Sequence, residues 1–169
     1  MAARLISIEG SDGTGKETQT DLLFDHLENQ GKKVARISFP RYNQTLGGSL
    51  LYEVLKSERA EHYCFSKAAP KVASKLYIMD REESLPFLLD LIEKNEVVIF
   101  DRYVESNLLH QGGKFKTAAE RINFAAWLFN LEYEDVKLPR PHDILSVSYT
   151  HLRAHETKAN LVCRLLLEK

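Results

Sequence analysis

The sequence predicts an α/β fold, a parallel sheet covered by helices, on three observations. Apolar strand-like runs alternate with stretches of helical spacing. One run, Val97-Val98-Ile99-Phe100, is uninterrupted and rich in β-branched residues, the pattern of a parallel strand buried on both faces. A glycine-rich turn, Gly10-Ser11-Asp12-Gly13-Thr14-Gly15-Lys16, separates the first strand from the first helix, the context in which such a loop cradles phosphate.

Taken in order, residues 4–9, with Leu5-Ile6-Ser7-Ile8 at their centre, read as a buried strand. Residues 15–30 read as a helix, with Leu22, Leu23 and Leu27 at helical spacing and Gly31 as its stop. A second strand is expected over residues 33–39, ended by Pro40, and a polar loop with Gly47-Gly48 leads to a helix near 49–56. Two helices are expected next, over 66–82 and 84–94, divided near Ser84 and Pro86 because proline suits a first helical turn. Asn95 introduces the apolar strand, which ends in Asp101-Arg102-Tyr103. A further helix is expected over 118–131, and the segment from Leu138 to Leu145 reads as a connection entering one more strand. In a fold of this kind ligands sit at the carboxyl ends of strands, where the glycine loop, Phe39-Pro40-Arg41 and Asp101-Arg102-Tyr103 all fall.

A chain of 169 residues, 44% hydrophobic and 28% charged, buries a proper core and is treated as one domain. A net charge of -1 and a pI near 6.6 argue against a nucleic-acid partner, which normally calls for a basic surplus. Cys64 and Cys163 form neither a metal-ligand spacing nor a disulfide framework, and no leader segment is evident, so a reducing cytoplasm is expected. No apolar run approaches the roughly 18 residues of a membrane span, so no membrane role is expected.

Gly10 and Gly15 let the loop backbone turn its N–H groups inward, Lys16 adds a point charge and the following helix its positive dipole end. A nucleotide polyphosphate is the expected guest. The residue after the lysine, usually Ser or Thr for magnesium, is Glu17, so Thr18 or water takes that place. Arg41 and Arg102 carry forked donors suited to a second phosphate, although Arg41 alone reads equally as a solvated loop residue. Asp101 suits a magnesium ligand or its water shell. Tyr77 and Arg81 are four apart on one helix face, where a ring and a guanidinium suit a planar base; a core-edge tyrosine with a surface arginine is the alternative. His110-Gln111-Gly112-Gly113 places an amide beside flexible backbone, to read a base or sugar edge or simply to turn the chain.

Glu9-Gly10-Ser11-Asp12-Gly13-Thr14-Gly15-Lys16, Phe39-Pro40-Arg41, Arg81 on its helix, Asp101-Arg102-Tyr103, His110-Gln111-Gly112-Gly113 and Leu138-Pro139-Arg140-Pro141 together resemble the thymidylate kinase family over about residues 3–145. The loop alone indicates only a nucleotide triphosphatase; the Asp101-to-Gln111 spacing and the loop aspartate narrow it. The resemblance implies a P-loop NTPase three-layer fold, transfer of the γ-phosphoryl of ATP to dTMP, Mg2+ as cofactor, a cytoplasmic setting and a homodimer. It implies ATP binding by Gly10, Ser11, Asp12, Gly13, Thr14, Gly15, Lys16, Glu17 and Thr18, with Asp101 and Thr18 serving magnesium. It implies dTMP binding by Asp12, Phe39, Arg41, Tyr77, Arg81, Arg102 and Gln111, and catalytic roles for Lys16, Arg102 and Asp12. Arg102 and Arg41 then clamp the acceptor phosphate, Tyr77 stacks on thymine, Arg81 and Gln111 meet the base edge, and Asp12 lies near the sugar hydroxyl. Family members draw a further arginine from the loop or from a lid; with Gly13 at the loop position, the lid beyond Leu138-Pro139-Arg140-Pro141 is its expected source.

Residues 146–169 leave that pattern, and no glycine follows Gly113. They resemble the translation of a sequencing-library adapter joined to a shortened gene. The expectation is therefore an incomplete kinase-like domain at 1–145 and a non-family tail at 146–169, with the lid absent. The competing reading is a helix at about 152–167, with Leu152, Leu161 and Leu165 on one face and Arg153 or Arg164 as lid candidates. A chain with this tail is expected to turn over poorly, and robust dTMP-dependent ADP formation by the purified protein would overturn that. The alternative functions are a non-catalytic nucleotide-binding P-loop module, a kinase of another nucleoside monophosphate, and a switch ATPase.

Overall fold

A computed structural model describes residues 3–147, apart from Cys64 and the side chain of Ser66. The tail beyond Val147, its competing helix and both cysteines lie outside the described residues. Strands β1 (Arg4–Glu9), β2 (Val34–Ser38), β3 (Val97–Asp101) and β4 (Asp143–Ser146) form a sheet in the order β2-β3-β1-β4. β1 runs parallel to β3, with Ile8 opposite Asp101, and parallel to β4, with Glu9 opposite Ser146. Parallel neighbours need crossover connections rather than hairpins, and helices α1 (Lys16–Asn29), α2 (Leu46–Leu55), α3 (Pro70–Lys94), α4 (Val104–Gly112) and α5 (Ala118–Phe129) lie between the strands in sequence. The α/β class with a parallel sheet is thus the one the sequence predicts.

The described chain divides into two compact units. One holds the residues up to Ile37, Leu91–Asp101 and those from Pro141; the other holds Ser38–Asp90 and Arg102–Arg140.

In the sheet unit, Val98, Ile99 and Phe100 are fully buried, as a central parallel strand requires. Ile6, Ile8, Leu23, Val97 and Ile99 form the core on the α1 side, each such side chain contributing about 1.5–3 kcal/mol by leaving water. The buried stripe of α1 is Lys16, Gln19, Thr20 and Leu23. Of the leucines read at helical spacing, Leu23 is buried and Leu22 exposed, because Leu22 stands about 100° round the helix from Leu23. The last strand is registered by reciprocal bonds: His142 N donates to Leu5 O at 2.8 Å and Leu5 N to His142 Nδ1 at 3.0 Å. β4 continues through Ser146, and Val147 N donates to Glu9 O at 2.7 Å.

In the helical unit, α2 begins at Leu46, three residues earlier than expected, because Thr45 caps it by accepting from Gly48 N at 2.8 Å. A Cβ on Gly47 would stand 2.4 Å from Asp80 N and one on Gly48 2.1 Å from Arg41 O, so only glycine lets α2 approach that closely. The expected break at Ser84 and Pro86 does not occur: α3 is one helix. Pro86 and Glu82, whose carbonyl loses its intrahelical partner, both lie on the exposed side, where an unpaired carbonyl costs least. His110, Gln111 and Gly112 are helical rather than turn residues; Gly112 closes α4 and is buried, while Gly113 caps the helix and opens the turn that follows.

Helix α5 opens with a capping box. Glu120 N donates to Thr117 Oγ1 at 3.2 Å, and Glu120 Oε2 accepts from Thr117 N at 3.0 Å. The Thr117 backbone N–H first, and its hydroxyl second, hold the Glu120 carboxyl below its usual range. A lowered folded pKa gives stability that is present above the unfolded value and is lost as pH falls through the folded one. Urea denaturation across pH should therefore show Glu120→Gln less stable than the native chain at pH 7, with the gap closing below about pH 4. A gap independent of pH would mean the carboxylate charge contributes nothing. Beyond Phe129 the helix expected to reach residue 131 widens into a π-helical stretch, Asn130–Asp135.

Candidate active site

The glycine loop joins the carboxyl end of β1 to α1. Gly13 and Gly15 hold φ of 75° and 81°, a left-handed conformation that side chains resist, and Gly10 has φ of 152°. A Cβ at Gly10 would lie 2.4 Å from Val147 O, so glycine is required there twice over. Ser11 O accepts from Thr14 Oγ1 at 2.8 Å and from Lys16 Nζ at 2.7 Å, so the lysine reaches back across its own loop. Lys16 is buried, whereas Ser11, Asp12, Gly13, Glu17 and Thr18 are exposed. Immediately before the loop, at the end of β1, Glu9 is buried and its Oε1 accepts from Ser7 Oγ at 2.8 Å.

Asp101 ends the neighbouring strand β3, opposite Ile8 in register and thus beside the strand that feeds the loop. Arg36 of β2 pairs with Asp101 at 3.5 Å and also with Asp21 of α1. Among the described residues no three His, Cys, Asp or Glu side chains group as a metal cage. Magnesium commonly takes one or two carboxylates with substrate phosphates and waters, so one carboxylate beside a phosphate loop, with the exposed Thr18 hydroxyl, fits an ion that arrives on a nucleotide.

The helical unit carries the other expected residues. The Phe39-Pro40 bond is cis, and the Phe39 ring lies 5.8 Å from that of Tyr103. Arg41 N donates to Asp80 Oδ2 at 3.0 Å, while its guanidinium stacks 4.3 Å over Phe87 and donates twice to Gln44 Oε1. Arg102 has φ of 68°, a left-handed conformation for a long side chain, and its Nη1 lies 3.1 Å from His110 Nε2 and 3.5 Å from Ser106 Oγ. Such outliers concentrate at functional sites. Tyr77 is half-buried, its ring 6.4 Å from that of Phe65.

Arg81 differs most from expectation. It is no surface arginine but 2% exposed, with Nε and Nη2 donating to Glu132 at 2.6 and 2.7 Å. Burial works against its charge, but Glu132, by proximity and by hydrogen bonding, lifts the guanidinium pKa above its ordinary value. Gln111 is buried on α4, and no donor among the described residues reaches its Oε1; the same holds for Oδ1 of Asn107, one turn earlier on the same face. Asn107 Nδ2 approaches Ser74 O of α3 at 3.5 Å. Buried acceptors without donors call for an explanation, and a ligand bearing N–H groups supplies one.

Asn107, Glu132, Asp80 and Arg36 escaped the sequence reading. Only Asn107 left a local signal, its four-residue spacing from Gln111.

A glycine loop with a reaching lysine, between a parallel strand and a helix and beside a strand ending in aspartate, defines a P-loop nucleotide-binding protein. The family model described as thymidylate kinase matches residues 8–125. The chain belongs to the thymidylate kinase family. The thymidylate kinase of Mycobacterium tuberculosis (strain H37Rv) is 33% identical over 138 residues, 81% of this chain and 62% of that protein. That of Clavibacter sepedonicus is 33% identical over 132 residues, 75% and 57% respectively. The chain thus spans about three-fifths of the length of these curated relatives. A solved thymidylate kinase from Candida albicans superposes with a TM-score of 0.64 at 25% identity, covering 87% of this chain and 63% of that one. One from Ehrlichia chaffeensis, with a TM-score of 0.62 at 20% identity and coverage of 88% and 74%, shares the fold.

Proposed function

We propose that the chain is a thymidylate kinase, moving the γ-phosphoryl of ATP to dTMP to give dTDP and ADP. Beyond family membership, the observation that carries this reading is the buried polar set of the helical unit: the Arg81 guanidinium and the unserved amide oxygens of Asn107 and Gln111. A phosphate-only site has no use for such groups, whereas a pyrimidine edge with both carbonyls and an N–H does.

In this reading the loop amides of residues 10–15 and Lys16 hold the donor phosphates. Arg102 and Arg41 take the acceptor phosphate, with Arg41 leaving its resting place on Phe87. Phe39 lines the acceptor side, Tyr77 stacks on thymine, and Arg81 and Gln111, with Asn107 added, read the base edge. Asp12, on the exposed loop, serves the acceptor sugar. A dTMP phosphate oxygen forms a bond to the γ-phosphorus as the bond to the β–γ bridging oxygen breaks, and ADP departs with that electron pair. Lys16 and Arg102 offset the negative charge on the transferring group. Magnesium, when bound, neutralises donor phosphate charge, and Asp101 and Thr18 are the residues that would hold it or its waters. We place the kinase-like domain at residues 1–145, apart from the tail, in a cytoplasmic setting and as a homodimer. Among the described residues no helix is long and apolar enough to cross a membrane.

The test is ADP formation by the purified chain with ATP, Mg2+ and a panel of monophosphates. Turnover with dTMP preferred supports the proposal. Binding of ATP and dTMP without turnover would favour the non-catalytic module, and acceptor-independent hydrolysis a switch ATPase.

A further inference from the structure

Glu132 is a fully buried carboxylate in the helical unit, and the phosphoryl-transfer reading gives it no task. It is 0% exposed, in the π-helical stretch Asn130–Asp135 that continues from the end of α5. π-helical turns are rare and are frequent at functional sites. Its two oxygens each accept one N–H of Arg81, Oε2 from Nε at 2.6 Å and Oε1 from Nη2 at 2.7 Å. A buried pair of this kind is commonly no more stabilising than apolar side chains of the same volume, so stability alone is a weak reason for it.

The fork has a geometric consequence. A guanidinium has five N–H donors in one plane and no acceptor. Engaging Nε and Nη2 fixes that plane and leaves the remaining N–H bonds of Nη1 and Nη2 aimed in set directions. Groups in those directions must be acceptors. A pyrimidine with a carbonyl oxygen at C4 meets that demand, whereas one with an amino group at C4 sets donor against donor.

We propose that Glu132 is a specificity-determining positioning residue, whose fork on Arg81 makes the site select 4-oxo over 4-amino pyrimidine nucleotides. This rests on the reading of Arg81 as a contact to the base edge. The pair also keeps the guanidinium charged despite its burial, so its donors stay in place across pH.

The test is calorimetric binding of dTMP and dCMP to the full chain and to Glu132→Gln and Glu132→Asp, with thermal melts of each. The native chain is expected to prefer dTMP by about 100-fold or more, as sites built on hydrogen bonds do. Glu132→Gln should cut that preference at least tenfold, mainly by weakening dTMP. Glu132→Asp, which keeps the charge but draws the fork back by one methylene, should give an intermediate value and remains informative if Glu132→Gln does not fold. A lowered melting temperature with an unchanged dTMP-to-dCMP ratio in a folded variant would show a purely structural role and overturn the inference. Equal native affinity for the two nucleotides would overturn it while leaving a kinase of broader acceptor range. Failure of the native chain to bind either would remove the proposed function and this inference with it.

Discussion

Replacing Lys16 with methionine is expected to slow phosphoryl transfer to dTMP by on the order of 10²–10³-fold, the usual effect of removing one preorganised charge donor. The cause is local. Lys16 is buried at the first turn of α1 and its Nζ already spans the loop to Ser11 O at 2.7 Å, so its ammonium is placed before any nucleotide arrives. Methionine keeps the stem and its packing while removing the charge. Single-turnover measurement of enzyme-bound ADP and dTDP formation, by rapid quench, separates the chemical step from product release. A loss of less than threefold would mean that Lys16 only braces the loop.

Arg81→Met is expected to destabilise the fold by about 3–5 kcal/mol, because it strands the fully buried carboxylate of Glu132. Replacing both partners together, Arg81→Met with Glu132→Met, should recover most of that loss, since the stranded charge disappears with the pair. Urea denaturation of the two single variants and the double measures the coupling directly. Additive losses would show that the fork carries no interaction energy of its own.

The parts of this molecule that were legible in its sequence are those whose causes lie close together along the chain. The phosphate loop is one: its left-handed residues must be glycine and its lysine must follow the last of them, so seven contiguous letters specify both conformation and chemistry. The apolar run of β3 is another, since burial on both faces requires it. What escaped depends on distant packing. Glu132 answers Arg81 across 51 positions and Asp80 holds Arg41 across 39, and neither acid carries a mark that separates it from a solvated helix residue. Two punctuation signals were overruled by position. Pro86 lies on the exposed side of α3, where a missing hydrogen bond costs least, and Gly112 lies in the buried last turn of α4, inside the helix rather than after it. The helical reading of α4 is what brings Asn107 and Gln111 onto one face.

The most direct test of the account is transfer of labelled γ-phosphoryl from ATP, with Mg2+ and a stoichiometric amount of the chain, to an equimolar mixture of deoxynucleoside monophosphates. The label is expected to accumulate in dTDP ahead of every other diphosphate, even if slowly. Label found in inorganic phosphate alone, or spread over the diphosphates without preference, would contradict it.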